Sequence, residues 1–297
     1  MPLPPLSEIL DRPEKPALFI GNGINRHNND ARSSWDDLLR GLMRDYGVDF
    51  TDDEIREMSN TELFDILDLA RPAEDRSSLQ AKFCETMKDW RPAQHHQSIV
   101  GWAQRHRRPV ITVNFDENLS LAVKARRQWL GKPSTDYYPW NCYFSDTSIS
   151  DPKTEFAIWH AHGMMHYKRS IRLALTHYMG SVQRARQWVY GDRGLRASAK
   201  NAEANWRGAN GWLEVLFFCP LVIFGFSFNK DENFLRWLFL ERARLQKIIP
   251  AWKAPTWFVD TPRNGSLHRK PFFEGLQMQY VVAENYQDIY EHPAWNS

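Results

Sequence analysis

Ala17-Leu18-Phe19-Ile20-Gly21-Asn22-Gly23-Ile24-Asn25-Arg26 is the stretch whose reading decides the fold. Four apolar residues in a row, closed by two glycines one apart, fit a strand buried on both faces that ends in a tight turn. Short apolar runs bounded by polar or Gly/Pro punctuation recur at 110–113, 157–159, 221–224 and 257–259. A further run at 279–282 is expected to add an edge strand.

Helical patterns lie between these runs. Residues 35–46 place Trp35, Leu38, Leu39 and Leu42 on one face, and Ser34 with Asp37 has the spacing of a capping box. Thr51 and Glu54 repeat that spacing before a second helix. Residues 233–249 read as a long amphipathic helix with its arginines on the polar side. Strands alternating with helices predict an α/β fold, a Rossmann-like doubly wound parallel sheet covered on both faces. No repeat, low-complexity tract or Gly/Ser linker divides the chain. It is read as one domain over 1–297, with helical insertions at about 30–100 and 164–212. Ligands of such sheets sit at the carboxyl ends of the strands, so the residues just after each strand carry the functional information.

Composition narrows the classes. The chain has 297 residues, 42% hydrophobic and 25% charged, the mix of an ordinary globular protein. Lys plus Arg total 38 against 36 Asp plus Glu, which argues against a dedicated nucleic-acid or membrane-surface protein. Cys84, Cys142 and Cys219 lack the short spacing of a zinc knuckle or a redox CxxC motif. The opening MPLPPLSEIL has no basic start followed by an apolar run, so no signal peptide is read and the cytoplasm is the expected location. The longest apolar stretch, 215–228, is interrupted by Pro220, Gly225 and Ser227; it is too short to span a bilayer and reads as a buried strand. The 13 tryptophans are assigned mainly to core and interface positions.

At the strand ends, Gly21 and Gly23 let the backbone turn tightly and would expose amides to a phosphate, with a helix N-terminus completing the cradle; an ordinary tight turn is the alternative. Thr112-Val113-Asn114-Phe115-Asp116 places an amide and a carboxylate on one side of an extended chain, able to hold a water, a ribose or a carboxamide. The alternative is an Asx turn capping a helix that starts near Glu117. His160-Ala161-His162-Gly163 offers a base near neutral pH, and a weaker metal reading because the two histidines share a face. Gly225 permits close approach of a ligand, Ser227 offers a hydroxyl, and Asp231 is expected to cap the next helix. Asp260 is an acidic strand end of the kind that hydrogen-bonds a ribose hydroxyl.

Taken in order, FIGNGIN, TVNFDENL, HAHG and GFSFNKDEN resemble the sirtuin superfamily, and more closely its NAD-hydrolysing branch in bacterial antiphage defence. The resemblance runs from Phe19 to about Asp260. It implies that NAD+ is the substrate, met by Gly21, Asn22, Gly23, Asn25, Thr112, Gly225, Ser227 and Asp260, with Gly21 and Gly23 at the pyrophosphate. Asn114 would place the water or ribose at the reacting carbon, Asp116 would hold the nicotinamide carboxamide, and His162 would be the catalytic histidine. Leu175-Thr176-His177-Tyr178 resembles a stretch that follows the histidine in the hydrolase branch. Ser33-Ser34-Trp35 resembles that branch's serine-tryptophan form, where deacylating sirtuins have proline-aspartate-phenylalanine-arginine. The four-cysteine zinc module of the deacylases is missing, and no metal is expected.

The implied reaction is hydrolysis of NAD+ to nicotinamide and ADP-ribose or a cyclised product, as a defence effector that depletes NAD+. Homo-oligomers and a separate sensor, with a HerA-type ATPase favoured, are implied as partners. The alternatives are an NAD-dependent protein deacylase or ADP-ribosyl transferase, and a module that senses NAD+ or a nucleotide without turnover; a nuclease ranks last, for want of an acidic metal site. Arg184, Arg186, Arg193, Arg196 and Arg207 among Trp188, Tyr190, Trp206 and Trp212 read as a solvated helical insertion ahead of a partner or nucleic-acid surface.

Overall fold

Among the described residues eight short strands, β1 Ala17–Ile20, β2 Val110–Thr112, β3 Arg126–Trp129, β4 Cys142–Ser145, β5 Ile158–His160, β6 Leu221–Phe224, β7 Thr256–Asp260 and β8 Met278–Val282, form one sheet. The computed structural model describes residues 5–28, 35–72, 78–198, 206–262 and 269–297. The sheet runs β3-β4-β5-β2-β1-β6-β7-β8. The six strands from β5 to β8 in that order are parallel. β4 runs antiparallel to both of its neighbours, β3 and β5.

The fold is therefore α/β with a mostly parallel mixed sheet, not the wholly parallel sheet expected from the strand pattern. The two unexpected strands lie at one edge. β3 is Arg126-Arg127-Gln128-Trp129, a half-exposed polar edge strand without an apolar run to mark it. All six runs read as strands are strands, and β8 is at the opposite edge as expected. In chain order the parallel strands lie third, second, first, fourth, fifth, sixth, compatible with Rossmann-like winding, and the winding reverses between β1 and β6.

Alternate residues of β1 feed two separate cores. Ala17 and Phe19 join Trp159, Ile223 and Phe258 beneath the helices Trp212–Phe218 and Asn233–Ile248. Leu18 and Ile20 join Trp102, Phe224 and Trp295 beneath the helix Gln94–Arg105 and the C-terminal segment. A third core, around Leu39, Leu42, Leu67 and Phe83, lies within the helices Trp35–Asp45, Asn60–Ala70 and Leu79–Thr86. Leu38, Leu39 and Leu42 are buried as their spacing requires, and Trp35 stacks on Phe83 at 5.4 Å. Thr51 and Glu54 form the expected reciprocal capping box. The Ser34 cap lies outside the described residues.

Two local readings are corrected. Residues 215–218 are the last turn of the helix Trp212–Phe218, and the strand begins only after Pro220. Arg242, expected on a polar helix face, is buried, with Nη2 donating to the carbonyls of Cys219 and Ala254 at 2.9 Å each and Nη1 to that of Leu216. Burial pushes the thiols of Cys84, Cys142 and Cys219 up to about 12, so each remains a protonated core side chain at neutral pH. Among the described residues no helix is long and apolar enough to cross a membrane.

Candidate active site

A cleft of about 480 Å³ opens at the carboxyl ends of β1, β2, β5, β6 and β7, where the winding reverses. That is the size and place of a small-molecule site in an open α/β sheet. Its walls combine the strand-end loops with Trp35, Leu39, Thr61, Arg172 and Tyr178 from the helical segments, and with Tyr286 and Tyr290 near the C-terminus. Of the residues singled out by sequence, Asn22, Gly23, His162, Gly225, Ser227 and Asp260 line it. Gly21, Asn25, Thr112, Asn114 and Asp116 stand outside that lining, in or behind the floor.

The glycines serve a purpose different from the expected phosphate cradle. Gly21 N–H donates to Phe224 O at 3.0 Å and Gly23 N–H to Gly225 O at 2.8 Å, so both amides are spent on the loop after β6. A Cβ on Gly21 would lie 2.3 Å from Gly225 O, and one on Gly23 would lie 2.4 Å from the Tyr290 hydroxyl. Gly225 itself has φ +66°. The helix that follows, Gly23–Arg26, is a single turn. These glycines let two loops interlock at the switch point.

Behind the first loop lies a buried polar network. Asn25 Nδ2 donates to Asp116 Oδ2 at 2.8 Å and to Asn22 Oδ1 at 2.9 Å, while Asn25 Oδ1 accepts from Asn118 Nδ2 at 3.1 Å. Asp116 Oδ1 also accepts the Asn118 amide at 3.0 Å, the Asx turn that was the alternative reading, and the helix Asn118–Ala122 follows Glu117. Burial raises the Asp116 carboxyl above its usual range, although these hydrogen bonds pull the other way. His96, held neutral by burial that drops it to about 3, accepts the Ala93 N–H on Nδ1. Its proton therefore sits on Nε2, which donates to Asn25 Oδ1 at 3.0 Å.

The chemistry-bearing group is at the end of β5. His162 Nε2 lies 3.0 Å from Glu232 Oε2, and Tyr178 OH donates to the same oxygen at 3.3 Å. Glu232 fixes the imidazole with its proton on Nε2, which leaves Nδ1 as a basic lone pair. Nδ1 is buried and has no protein partner. Glu232 is also the N-cap of Asn233–Ile248, accepting from Leu235 N–H at 3.4 Å; the cap expected at Asp231 is one residue later. Sequence inspection missed Glu232 as a functional residue, because 70 residues separate it from His162.

Asn114 lies two residues beyond β2, between the cleft-lining Val113 and Phe115. Its backbone is clamped: its N–H donates to Thr112 Oγ1 at 3.1 Å, and its carbonyl accepts from His160 Nδ1 at 2.7 Å. Burial lowers His160 to about 4, so the ring is neutral at physiological pH and Nδ1 carries the donated proton. Thr112 in turn donates to Ile20 O at 2.8 Å and is fully buried, so it holds Asn114 in place and does not reach the cleft. The Asn114 amide is 1% exposed, and neither its oxygen nor its nitrogen has a partner.

Gly163 follows His162 with φ +93°, and a Cβ there would meet Ser170 O at 2.2 Å. Gly163→Ala is therefore expected to destabilise the fold by about 2 kcal/mol or more, seen as a lower urea midpoint at unchanged slope.

His160 faces the Asn114 carbonyl, and among the described residues no three His, Cys, Asp or Glu side chains form a group able to hold a metal ion. The arginine-tryptophan segment is divided: Arg186, Arg193 and Arg207 are exposed, as the solvated reading expects, while other members pack against the protein. Arg184 lies over Tyr138, Trp140 and Trp188, Arg196 over Tyr190 beside Glu241, and Trp206 and Trp212 are buried. No protein-family model, curated protein or solved structure matches this chain, so a functional reading rests on the cleft and its residues.

Proposed function

We propose that the cleft hydrolyses the bond between nicotinamide and ribose in NAD+, as a sirtuin-like NAD hydrolase on a Rossmann-like scaffold. The observation that carries this reading is a set of buried polar groups left without partners in or just behind the cleft wall. They are the Asn114 amide, His162 Nδ1, Arg172 Nη1 and the Tyr290 hydroxyl. Buried polar groups are ordinarily paired, so a cluster of orphans beside a cleft marks groups that a ligand completes. An amide, a base, a guanidinium and a phenol suit a ligand rich in hydroxyls and anionic oxygens, as a dinucleotide is.

The nicotinamide leaving group is cationic in the substrate, so the reaction needs little acid catalysis. It needs a stabilised oxocarbenium-like centre and a placed water. Asn114 contributes the amide that holds the water or the ribose, and His162 Nδ1 accepts the proton. Glu232 is a positioning residue that accepts Nε2–H, which orients the ring and selects the tautomer whose lone pair is on Nδ1. Asp260 offers its carboxylate to a ribose hydroxyl, and Asp116 supports the first loop from behind through Asn25. Depletion of NAD+ in antiviral defence, a homo-oligomeric assembly and a separate HerA-type activator belong to the same proposal and rest on the sequence resemblance; a cytoplasmic location is proposed with them.

The test is nicotinamide release from NAD+ by the wild-type and Glu232→Gln proteins. A glutamine amide can donate as well as accept, so it no longer enforces one tautomer. The variant is expected to lose roughly two to four powers of ten in kcat, with KM moved less than about threefold. Equal kcat in the two proteins removes Glu232 from the mechanism, and absence of release by wild type with every activator tried removes the hydrolase.

A further inference from the structure

Among the arginines of the chain, Arg172 is placed like a ligand-binding group. It lines the cleft yet is 2% exposed, and its backbone N–H donates to the His162 carbonyl at 3.0 Å, so it stands beside the proposed base. Its guanidinium lies 4.4 Å from the ring centres of both Tyr137 and Tyr138, and Nη2 donates to the Tyr137 carbonyl. Nη1 has no partner, and among the described residues no carboxylate pairs with this cation. Arg242 shows what a structural buried arginine looks like in the same fold: three backbone carbonyls accept from its two terminal nitrogens. Arg172 is held by aromatic faces, which orient the guanidinium without neutralising it.

A dinucleotide also brings a charge that must be met. The Gly21 and Gly23 amides, expected at the pyrophosphate, are already bonded to Phe224 and Gly225. Among the described residues two arginines line the cleft, Arg26 and Arg172, and Arg26 is exposed while Arg172 is desolvated. In a nucleotide the 5′-phosphate is joined to the sugar whose anomeric carbon reacts, so a desolvated cation in the cleft that His162 also lines can serve that phosphate. We propose that Arg172 is the anion-recognition residue of the cleft. It takes a pyrophosphate oxygen on Nη1 and thereby selects phosphate-bearing nicotinamide nucleosides over the unphosphorylated nucleoside. This rests on reading the cleft as an NAD+-cleaving site.

The experiment uses the full chain, as wild type, Arg172→Gln and Arg172→Lys. Inorganic pyrophosphate binding is measured by calorimetry, and nicotinamide release is measured from NAD+, nicotinamide mononucleotide and nicotinamide riboside. Arg172→Gln is expected to abolish pyrophosphate binding. Its loss of kcat/KM on NAD+ and on the mononucleotide is expected to exceed its loss on the riboside at least about tenfold. Arg172→Lys keeps the charge over the two tyrosines and is expected to weaken pyrophosphate binding about tenfold, which provides the reading if the glutamine variant does not fold. Equal losses on all three substrates, or pyrophosphate binding that either variant leaves intact, overturn the proposal. Arg172-dependent pyrophosphate binding without nicotinamide release from any substrate keeps the anion site and discards the hydrolase instead.

Discussion

The His162→Ala protein is expected to release nicotinamide from NAD+ about a thousandfold more slowly than wild type, and Asn114→Ala about a hundredfold or more. The first substitution removes the lone pair at Nδ1 and leaves Glu232 Oε2 with Tyr178 as its remaining donor, since His162 and Tyr178 both donate to that oxygen. The second removes an amide that makes no hydrogen bond within the protein, so its loss takes nothing from the folded framework except volume. That difference separates chemistry from stability. Asn114→Ala should unfold within about 1 kcal/mol of wild type while losing turnover, because no buried partner is stranded. Release at the wild-type rate by both variants, with thermal unfolding confirming folded protein, excludes the proposed mechanism.

Acid is expected to destabilise the fold steeply below about pH 6.5. His96 is depressed to about 3 and His160 to about 4, in both cases by burial, from an ordinary value of 6.5. Between those values the unfolded chain binds protons that the folded chain refuses, so unfolding free energy rises with pH across this window. The stabilisation is complete above pH 6.5 and is lost as the pH falls toward the depressed values. Each histidine contributes a slope of about 1.4 kcal/mol per pH unit, or about 3 kcal/mol apiece by pH 4. His177, half-buried and lowered to about 4, adds in the same direction. Asp116 works oppositely, since burial raises its carboxyl and protonating it relieves a buried charge. The Glu117 carboxyl, also raised by burial, acts in the direction of Asp116, while His95, His106 and His166, lowered by burial, act with His96 and His160. Urea midpoints measured at pH 7.5 and 5 should fall on acidification, and His160→Gln should flatten the difference; equal midpoints at the two pH values refute the account.

Sequence legibility followed locality. The parallel strands could be read because each is a short apolar run with its own punctuation, and β3 could not because Arg126, Arg127 and Gln128 carry no such mark. The Thr51–Glu54 capping box and the helix after Glu117 are contained in a few residues, and both are present. What escaped depends on partners far along the chain. Asn25 and Asp116 are 91 residues apart, and His162 and Glu232 are 70 apart. Nothing in the spacing announces such pairs, although Asp231-Glu232 between a strand end and a helix is a place to look for an acidic partner. Arg242 misled for a related reason, since a charged residue in an amphipathic pattern gives no sign that backbone carbonyls await it.

The interlocked glycines have an evolutionary consequence. Gly21 and Gly225 each exclude a side chain because the backbone of the other loop fills the space, and Tyr290 closes on both Gly23 and Gly225. No one of these positions can drift alone. A substitution at any of them has already separated the loops, so a second one costs less than the first, and their effects combine as strong epistasis rather than as a sum. Three sites more than 200 residues apart at their extremes are thus inherited as one character. A divergent relative is expected to keep all of them or to have replaced them together.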